Sequence, residues 1–418
     1  MLSMTRIALV LGAASAALAA QSQPFLLTRM SGAQSSGVPK AVIGAGDARK
    51  LRIAIEGVQI DVPWGEILSL QGPAPRVVAP LTVQMVGGDE LKGEIHGGDR
   101  GGDQLALTSL CLGVQRVPTD RLARMFFADR VGPGGADRIV LEASSGFREA
   151  LFRKALRGFD TVGGEIERFT AEGVMFAAQG RSSPSLYRWS TLLGVALLEG
   201  AAPKAPGAWL LHTTAGDRLR VEFDGLSERG FALRTEFGPI TLTADRVAAL
   251  TRVGGDHRFL SDLDPVRVEE SGSESKVDPS PLFRWRRDRT ASGGVVGAVH
   301  SRADGYLVVH GATYGKGIGV HSRCVLTFRV PPGVRKFFAL VAIDDEVLAL
   351  DVTGDADAVV KSGDKVLVQH TGLRRGAAPR PIGPVAVEPG ALLTLEVGFG
   401  KGMFLGDRVD WLSAVFLK

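Results

Sequence analysis

Three short stretches hold the side chains best able to do chemistry. Tyr314 to Ser322 reads YGKGIGVHS, with Gly315, Gly317 and Gly319 at alternate positions between Tyr314 and His321. Phe337 to Glu346 reads FFALVAIDDE and ends in the adjacent carboxylates Asp344 and Asp345. Gly406 to Trp411 reads GDRVDW and places Asp407, Asp410 and Trp411 together. Glycines beside a lysine and a histidine suit a phosphate cradle, a metal corner or a tight turn, while carboxylates and an indole suit a cation or a sugar.

The element that follows the glycines decides the first choice. A phosphate cradle needs a helix whose N-terminal N–H groups face the anion. Here Val325, Thr327 and Arg329 alternate with Leu326, Phe328 and Val330, which predicts a strand. The remaining expectation is a glycine-permitted bend that delivers His321 and Ser322 to a strand mouth. His321 then either contacts ligand or is a buried imidazole holding the bend. Asp344 and Asp345 either cap a turn or contact ligand or metal, and Trp411 is either core packing or a stacking platform. Adjacent residues of a strand point to opposite faces, so Asp344 and Asp345 are poorly placed as a glycosidase pair.

Beyond these come DKVLVQH at Asp364 to His370, then PIGPVAVEPGALLTLEVGFG, then the closing GDRVDWLSAVFLK. Strands at this rhythm without intervening helices predict a β-sandwich. The succession FLSDLDP, YGKGIGVHS, KFFALVAIDDE, VLVQHTG and GDRVDWLSAVFL resembles the NPCBM family, carbohydrate-binding modules associated with glycoside hydrolase family 98 enzymes. The resemblance covers about residues 257–418. It implies a jelly-roll sandwich of the galactose-binding-like kind, a sugar held at loop ends and a structural calcium. Carried to matching positions, it implies His321, Asp344, Asp345 and Trp411 for carbohydrate and Asp407 and Asp410 for metal. One departure stands out: LALDVTGDADAVVKSGDK, residues 348–365, occupies the place of a compact glycine turn.

The elements upstream read differently. The chain has 418 residues, 54 glycines and 21 prolines, which predicts several domains, many turns and an all-β architecture. A formal net charge of +4 without a basic block does not point to nucleic acid. Residues 1–20 carry Arg6, an apolar run and small residues, the pattern of a cleaved secretory signal. The expectation is a protein that is secreted, periplasmic or at the cell surface, with no membrane span after cleavage. Residues 21–47 are expected to be a flexible N-terminal segment.

Residues 48–256 read as a β-rich region of small barrel-like, weakly SH3-like or Sm-like units. An alternating strand, a turn, a second strand and a short apolar close recur at Leu51–Leu70, Leu105–Phe126, Val174–Leu197 and Phe231–Leu250. Opening hairpins turn at Gly88-Asp89 and Gly216-Asp217 in two of the units. His96 and His212 have no partner at metal spacing and read as turn or edge residues. HGGDRGGD, His96 to Asp103, reads as a hairpin connection. Cys111 and Cys324 form no disulfide framework, leaving at most one interdomain bond. The expected function is non-catalytic glycan or polysaccharide binding, with an envelope interaction protein as the alternative and a glycoside hydrolase behind both.

Overall fold

Period-two alternation drives most of this chain into strands, because one face of each strand must find cover. The computed structural model describes residues 23–75, 79, 81–99, 101–131, 149–155, 159–197, 207–271, 284–292, 305–401 and 404–418. The expected leader, residues 1–20, lies outside the described residues.

Twenty strands of the N-terminal region form four units of one design. Unit one comprises Phe25–Arg29, Gln34–Ile43, Lys50–Ile55, Val58–Pro63 and Ile67–Gln71. Unit two comprises Leu81–Met85, Glu90–Gly98, Gln104–Ser109, Gly113–Pro118 and Leu122–Phe127. Unit three comprises Glu149–Lys154, Phe159–Phe169, Gly173–Ala178, Ser185–Arg188 and Leu192–Ala196. Unit four comprises Trp209–Thr213, Arg218–Ser227, Gly230–Thr235, Gly238–Leu242 and Val247–Arg252.

In each unit the first four strands pair in sequence and the fifth returns to the first. A single 3-10 turn, such as Trp64–Glu66 or Ala244–Arg246, joins the fourth strand to the fifth. No ladder closes the fourth strand onto the fifth among the described residues, so each unit is an open five-stranded arrangement. The units are also not independent. Fifth strands pair across units one and four through Leu70 and Leu250, and across units two and three through Met125 and Val195. One hydrophobic cluster runs from Phe25 to Leu250.

Within the segment expected to be flexible, residues 21–47, Phe25–Arg29 and Gln34–Ile43 pair as the opening hairpin of unit one. Phe25 and Leu27 are fully buried, while Gln34–Ile43 is mostly half-buried. Small polar residues in that second strand hide its pairing from a reading by apolar periodicity. His212 also departs from expectation: it lies within a strand and is buried. HGGDRGGD does join two hairpin strands, Glu90–Gly98 and Gln104–Ser109.

The C-terminal region is a sandwich. One sheet contains Arg286–Arg287, Gly317–His321, Arg408–Leu417, Lys336–Ile343 and Arg380–Ala386, with Arg258–Phe259 on the long last strand. The other contains Arg267–Glu270, Cys324–Arg329, Leu392–Phe399, Ala356–Ser362 and Lys365–Leu373. Between them pack Phe328, Phe337, Val341, Ile343, Trp411 and Phe416.

The strand Lys336–Ile343 explains why the sandwich does not stand apart. Phe337, Ala339, Val341 and Ile343 face the sandwich core, whereas Phe338, Leu340 and Ala342 face outward. The outward set is covered by the hairpin Leu307–Val309 and Ala312–Tyr314, by Leu68, and by Leu26 and Met30 of unit one. A continuous apolar run is what a strand covered on both faces requires. Burying each large outward side chain stabilises docking by about 1.5–3 kcal/mol. Cys111 and Cys324 are both buried free thiols, so no bond joins the two regions through them.

Candidate functional site

The glycine run lies in this interface. The expected bend is confined to Gly315 and Lys316, and Gly317–His321 after it is a buried strand paired with Arg408–Leu417. A Cβ on Gly315 would lie 2.5 Å from Thr251 Oγ1 of unit four, and one on Gly319 would lie 2.2 Å from the Arg289 carbonyl oxygen. These glycines are needed for close approach. Lys316 between them is 3% exposed and its ammonium donates to Asp262 and Asp288, both at 2.6 Å.

Asp288 also accepts from Arg218 of unit four at 2.8 Å, and Arg289 pairs with Glu90 of unit two. Burial alone would raise the carboxyls of Asp288 and Glu90. The cations Lys316 and Arg218 for Asp288, and Arg289, Lys92 and Arg218 for Glu90, overcome it and hold both below the usual range. Tyr306 Oη donates to the Asp217 carbonyl at 2.6 Å, and its ring meets His212 edge-on at 4.6 Å. Burial, with Arg218 and Arg289 nearby, pushes the His212 imidazole well below its ordinary value and keeps it neutral.

The predicted acidic strand end is spent on the docking hairpin. Asp344 Oδ2 accepts from Val308 N at 2.9 Å, and its Oδ1 accepts from Glu346 N at 2.7 Å. Asp345 accepts from His310 N at 3.0 Å and Gly311 N at 2.8 Å. Asp410 stands beside Asp344, opposite Ala342 in the register, and both are fully buried. Burial pushes Asp344 up to about 7, with a hydrogen bond to Asp410 opposing the rise and Glu346 adding to it. Burial with the neighbouring Asp344, Glu346 and Asp345 carboxyls pushes Asp410 well above its ordinary value. Trp411 is 1% exposed in the sandwich core, so it offers no face to a sugar.

Asp407 belongs elsewhere. Its Oδ2 accepts from Ser322 Oγ at 2.7 Å and its Oδ1 from Asp355 N at 2.9 Å, lacing two loops at one end of the sandwich. Burial raises its carboxyl to about 6. Asp355 in turn accepts from Lys401 N at 3.0 Å and pairs with Arg374 at 3.1 Å. His321 lies beneath this end, its Nδ1–H donating to the Ser322 carbonyl at 2.9 Å and its ring 6.4 Å from Phe404. Burial lowers its imidazole to about 4. The pair expected to bind metal, Asp407 and Asp410, is therefore divided between two clusters. Among the described residues no group of three or more His, Cys, Asp or Glu side chains is arranged to hold a metal ion. The donor set on hand does not fit a shared calcium.

The same loop end carries Phe404, half-buried near His321, with exposed Leu405 and Lys401, and the exposed Arg374 and Arg323, which pair with Asp355 and Glu396. An apolar ring flanked by directed donors in a shallow surface is what sugar recognition needs. Sequence reading passed over Phe404, although an aromatic and a leucine inside the glycine-rich GKGMFLGD are the signal that could have found it.

With this geometry in view, the C-terminal region can be placed in a class: residues 257–417 match the NPCBM/NEW2 domain. No curated protein matches the chain. Among solved structures, the chain is similar to CBM51-2 in complex with GlcNAc and INT domains from Clostridium perfringens ZmpB, at 19% identity and a TM-score of 0.31, covering 44% of this chain and 36% of that one. It is similar to CBM51 from Clostridium perfringens GH95 in complex with methyl-galactose, at 16% identity and a TM-score of 0.30, covering 38% of this chain and 99% of that one. It is also similar to the tandem CBM51 modules of Sp3GH98, the family 98 glycoside hydrolase from Streptococcus pneumoniae SP3-BS71, at 11% identity and a TM-score of 0.31, covering 94% and 88%. The chain thus spans about a third of the length of the first of these structures. Among the described residues no helix is long and apolar enough to cross a membrane.

Proposed function

We propose that the protein is a secreted, non-catalytic carbohydrate-binding protein that holds a glycan at the loop end of its C-terminal sandwich. The match of residues 257–417 to the NPCBM/NEW2 domain carries this reading. Phe404 and Leu405 supply the apolar contact, Arg323, Arg374 and Lys401 the donors, and the His321, Ser322 and Asp407 linkage fixes the loops from below. Glycosidic hydrolysis needs two carboxyls across an accessible cleft. Asp344 and Asp345 are instead bound to backbone N–H groups, which favours binding without catalysis.

Titration of the full chain on a neutral-glycan array tests the proposal. Binding is expected, and Phe404→Ala weakens it by about tenfold or more with an unchanged melting temperature, since stacking contacts of this kind are worth about 0.5–1.5 kcal/mol beyond area burial. No binding at millimolar glycan, with calcium and with a chelator, would sink it. The alternative, an envelope interaction protein, is favoured by the four repeat units and predicts co-purification with envelope proteins that free sugar does not disturb.

A further inference from the structure

Three of the four units are engaged by the sandwich. Unit one covers its outer sheet, unit two supplies Glu90, and unit four supplies Arg218, Asp217 and His212. Among the described residues, no hydrogen bond, ion pair or ring contact joins unit three to the sandwich. Unit three carries a groove of about 530 Å³ lined by Arg153, Lys154, Arg181, Arg188 and Tyr187, with Asp160 as its one carboxylate.

Register shows how this unit departs from its sisters. The bulge that ends the first strand puts Arg153 where unit four has Thr213 and unit two has Met85; unit one also has an arginine there, Arg29, but it pairs with Glu66. Just before the 3-10 turn, unit three has Tyr187 and Arg188 where unit one has Val62 and Pro63 and unit two has Val117 and Pro118. Val62 and Val117 are fully buried, whereas Tyr187 is half-buried and opens onto the groove.

Four cations therefore share one groove. Among the described residues none of them forms an ion pair, and Asp160, although opposite Arg153 in the ladder, forms none either. Arg153 Nε is buried without a hydrogen-bond partner. Like charges held within a Debye length repel, and an anion relieves them. Guanidinium groups meet sulfate or carboxylate oxygens in pairs, which makes arginine the suitable residue here. The Tyr187 ring is pinned edge-on by Phe176 at 5.8 Å, lies 5.9 Å from the Arg153 guanidinium carbon, and has the partly exposed Leu186 beside it. An apolar ring among cations fits a charged sugar better than a bare anion.

We propose that this groove binds an anionic polysaccharide, a chain of sulfate- or carboxylate-bearing sugars, at a site separate from the sandwich. The choice of a sugar polymer rests on the glycan-binding reading above; the cationic groove itself does not.

The test uses the full chain and the Arg181→Glu/Arg188→Glu double variant, both changes being at exposed positions. Affinity is measured for dextran sulfate, polygalacturonate, neutral dextran and polyadenylate, from about 50 to about 500 mM salt. The wild type is expected to bind dextran sulfate, polygalacturonate or both, more weakly as salt rises. The double variant should lose about tenfold or more, with its melting temperature and neutral-glycan binding unchanged. The two anionic arms separate sulfate from carboxylate recognition. Neither anionic polysaccharide binding, equal binding by the variant, equal binding of neutral dextran, or tighter binding of polyadenylate would each overturn the proposal. Failure of the sandwich reading would show as lost neutral-glycan binding while the anionic arm persists.

Discussion

Units three and four are built alike and covered differently. Both return a fifth strand to the first with a bulge at the same step, and both join a sister unit through that fifth strand. Unit four turns the His212 and Arg218 side chains and the Asp217 carbonyl toward the sandwich, where each meets a partner. Unit three turns Arg153, Lys154, Arg181 and Arg188 into an open groove, where none forms an ion pair among the described residues. One five-stranded design thus serves as a docking wedge in one copy and an accessible surface in another. Side chains at the ends of strands make that difference, because the core positions that hold the design together are similar in all copies.

The comparison breaks most visibly at Asp288. Its carboxylate pairs with buried Lys316, which keeps Asp262, and with partly exposed Arg218. Asp288→Ala therefore removes one of the two partners of Lys316 and the ion-pair partner of Arg218, and should cost about 3 kcal/mol. Chemical denaturation reads this as a large loss for the docked side. A wild-type unfolding curve would show that unit four is not held by this network.

Next comes Gly315→Val, which drives a side chain against Thr251 and His212. Overpacking there should cost about 1–3 kcal/mol. A thermal midpoint within error of wild type would mean that the two regions are not closely seated at this point.

A third test concerns the tether on the sandwich side. Asp344 and Asp410 have folded-state values raised above their unfolded ones, so folding takes up protons there. Their contribution is fullest below the unfolded value near 4; that of Asp344 is lost as pH rises through about 7, and that of Asp410 falls in the same direction. Asp410→Asn removes one charge and supplies a donor to Asp344. It should raise stability at pH 8 by about 1–2 kcal/mol and flatten the decline between pH 5 and pH 8. Melting curves of both proteins across that range decide it, and an unchanged slope would contradict the shared burial of the pair.

The smallest effect is expected at the open copy. Arg181→Ala should change stability by less than about 0.5 kcal/mol, since the side chain is exposed and makes no ion pair among the described residues. A larger loss in the same denaturation assay would mean that unit three is not the free surface contrasted here with unit four.

Much of the architecture was legible beforehand. The four recurrences from Leu51 to Leu250 correspond to the third, fourth and fifth strands of each unit, since those strands alternate strongly and end at a marked turn. The opening hairpins of units one and three were missed, because Gln34–Ile43 and Phe159–Phe169 are mostly exposed or half-buried and carry little periodic apolar signal. At the candidate site the core reading of Trp411, the turn-capping reading of Asp344 and the buried-imidazole reading of His321 match the structure, while the partners from distant segments were not legible. Asp344, Asp407, Asp410 and Trp411 are buried, and Asp345 is held by a hairpin that follows no spacing rule.

The sequence by itself determined the strands, the repeat and the sandwich, because alternation and turn residues act over a few neighbouring positions. It also marked YGKGIGVHS as special. Only the tertiary structure decided why: Gly315 and Lys316 meet Thr251, Asp262 and Asp288, residues 28 to 64 positions away, and Asp288 joins them to Arg218 of unit four. Whether a charge ends up neutralised in an interface or exposed in a groove depends on which surfaces pack together, and local periodicity carries no record of that.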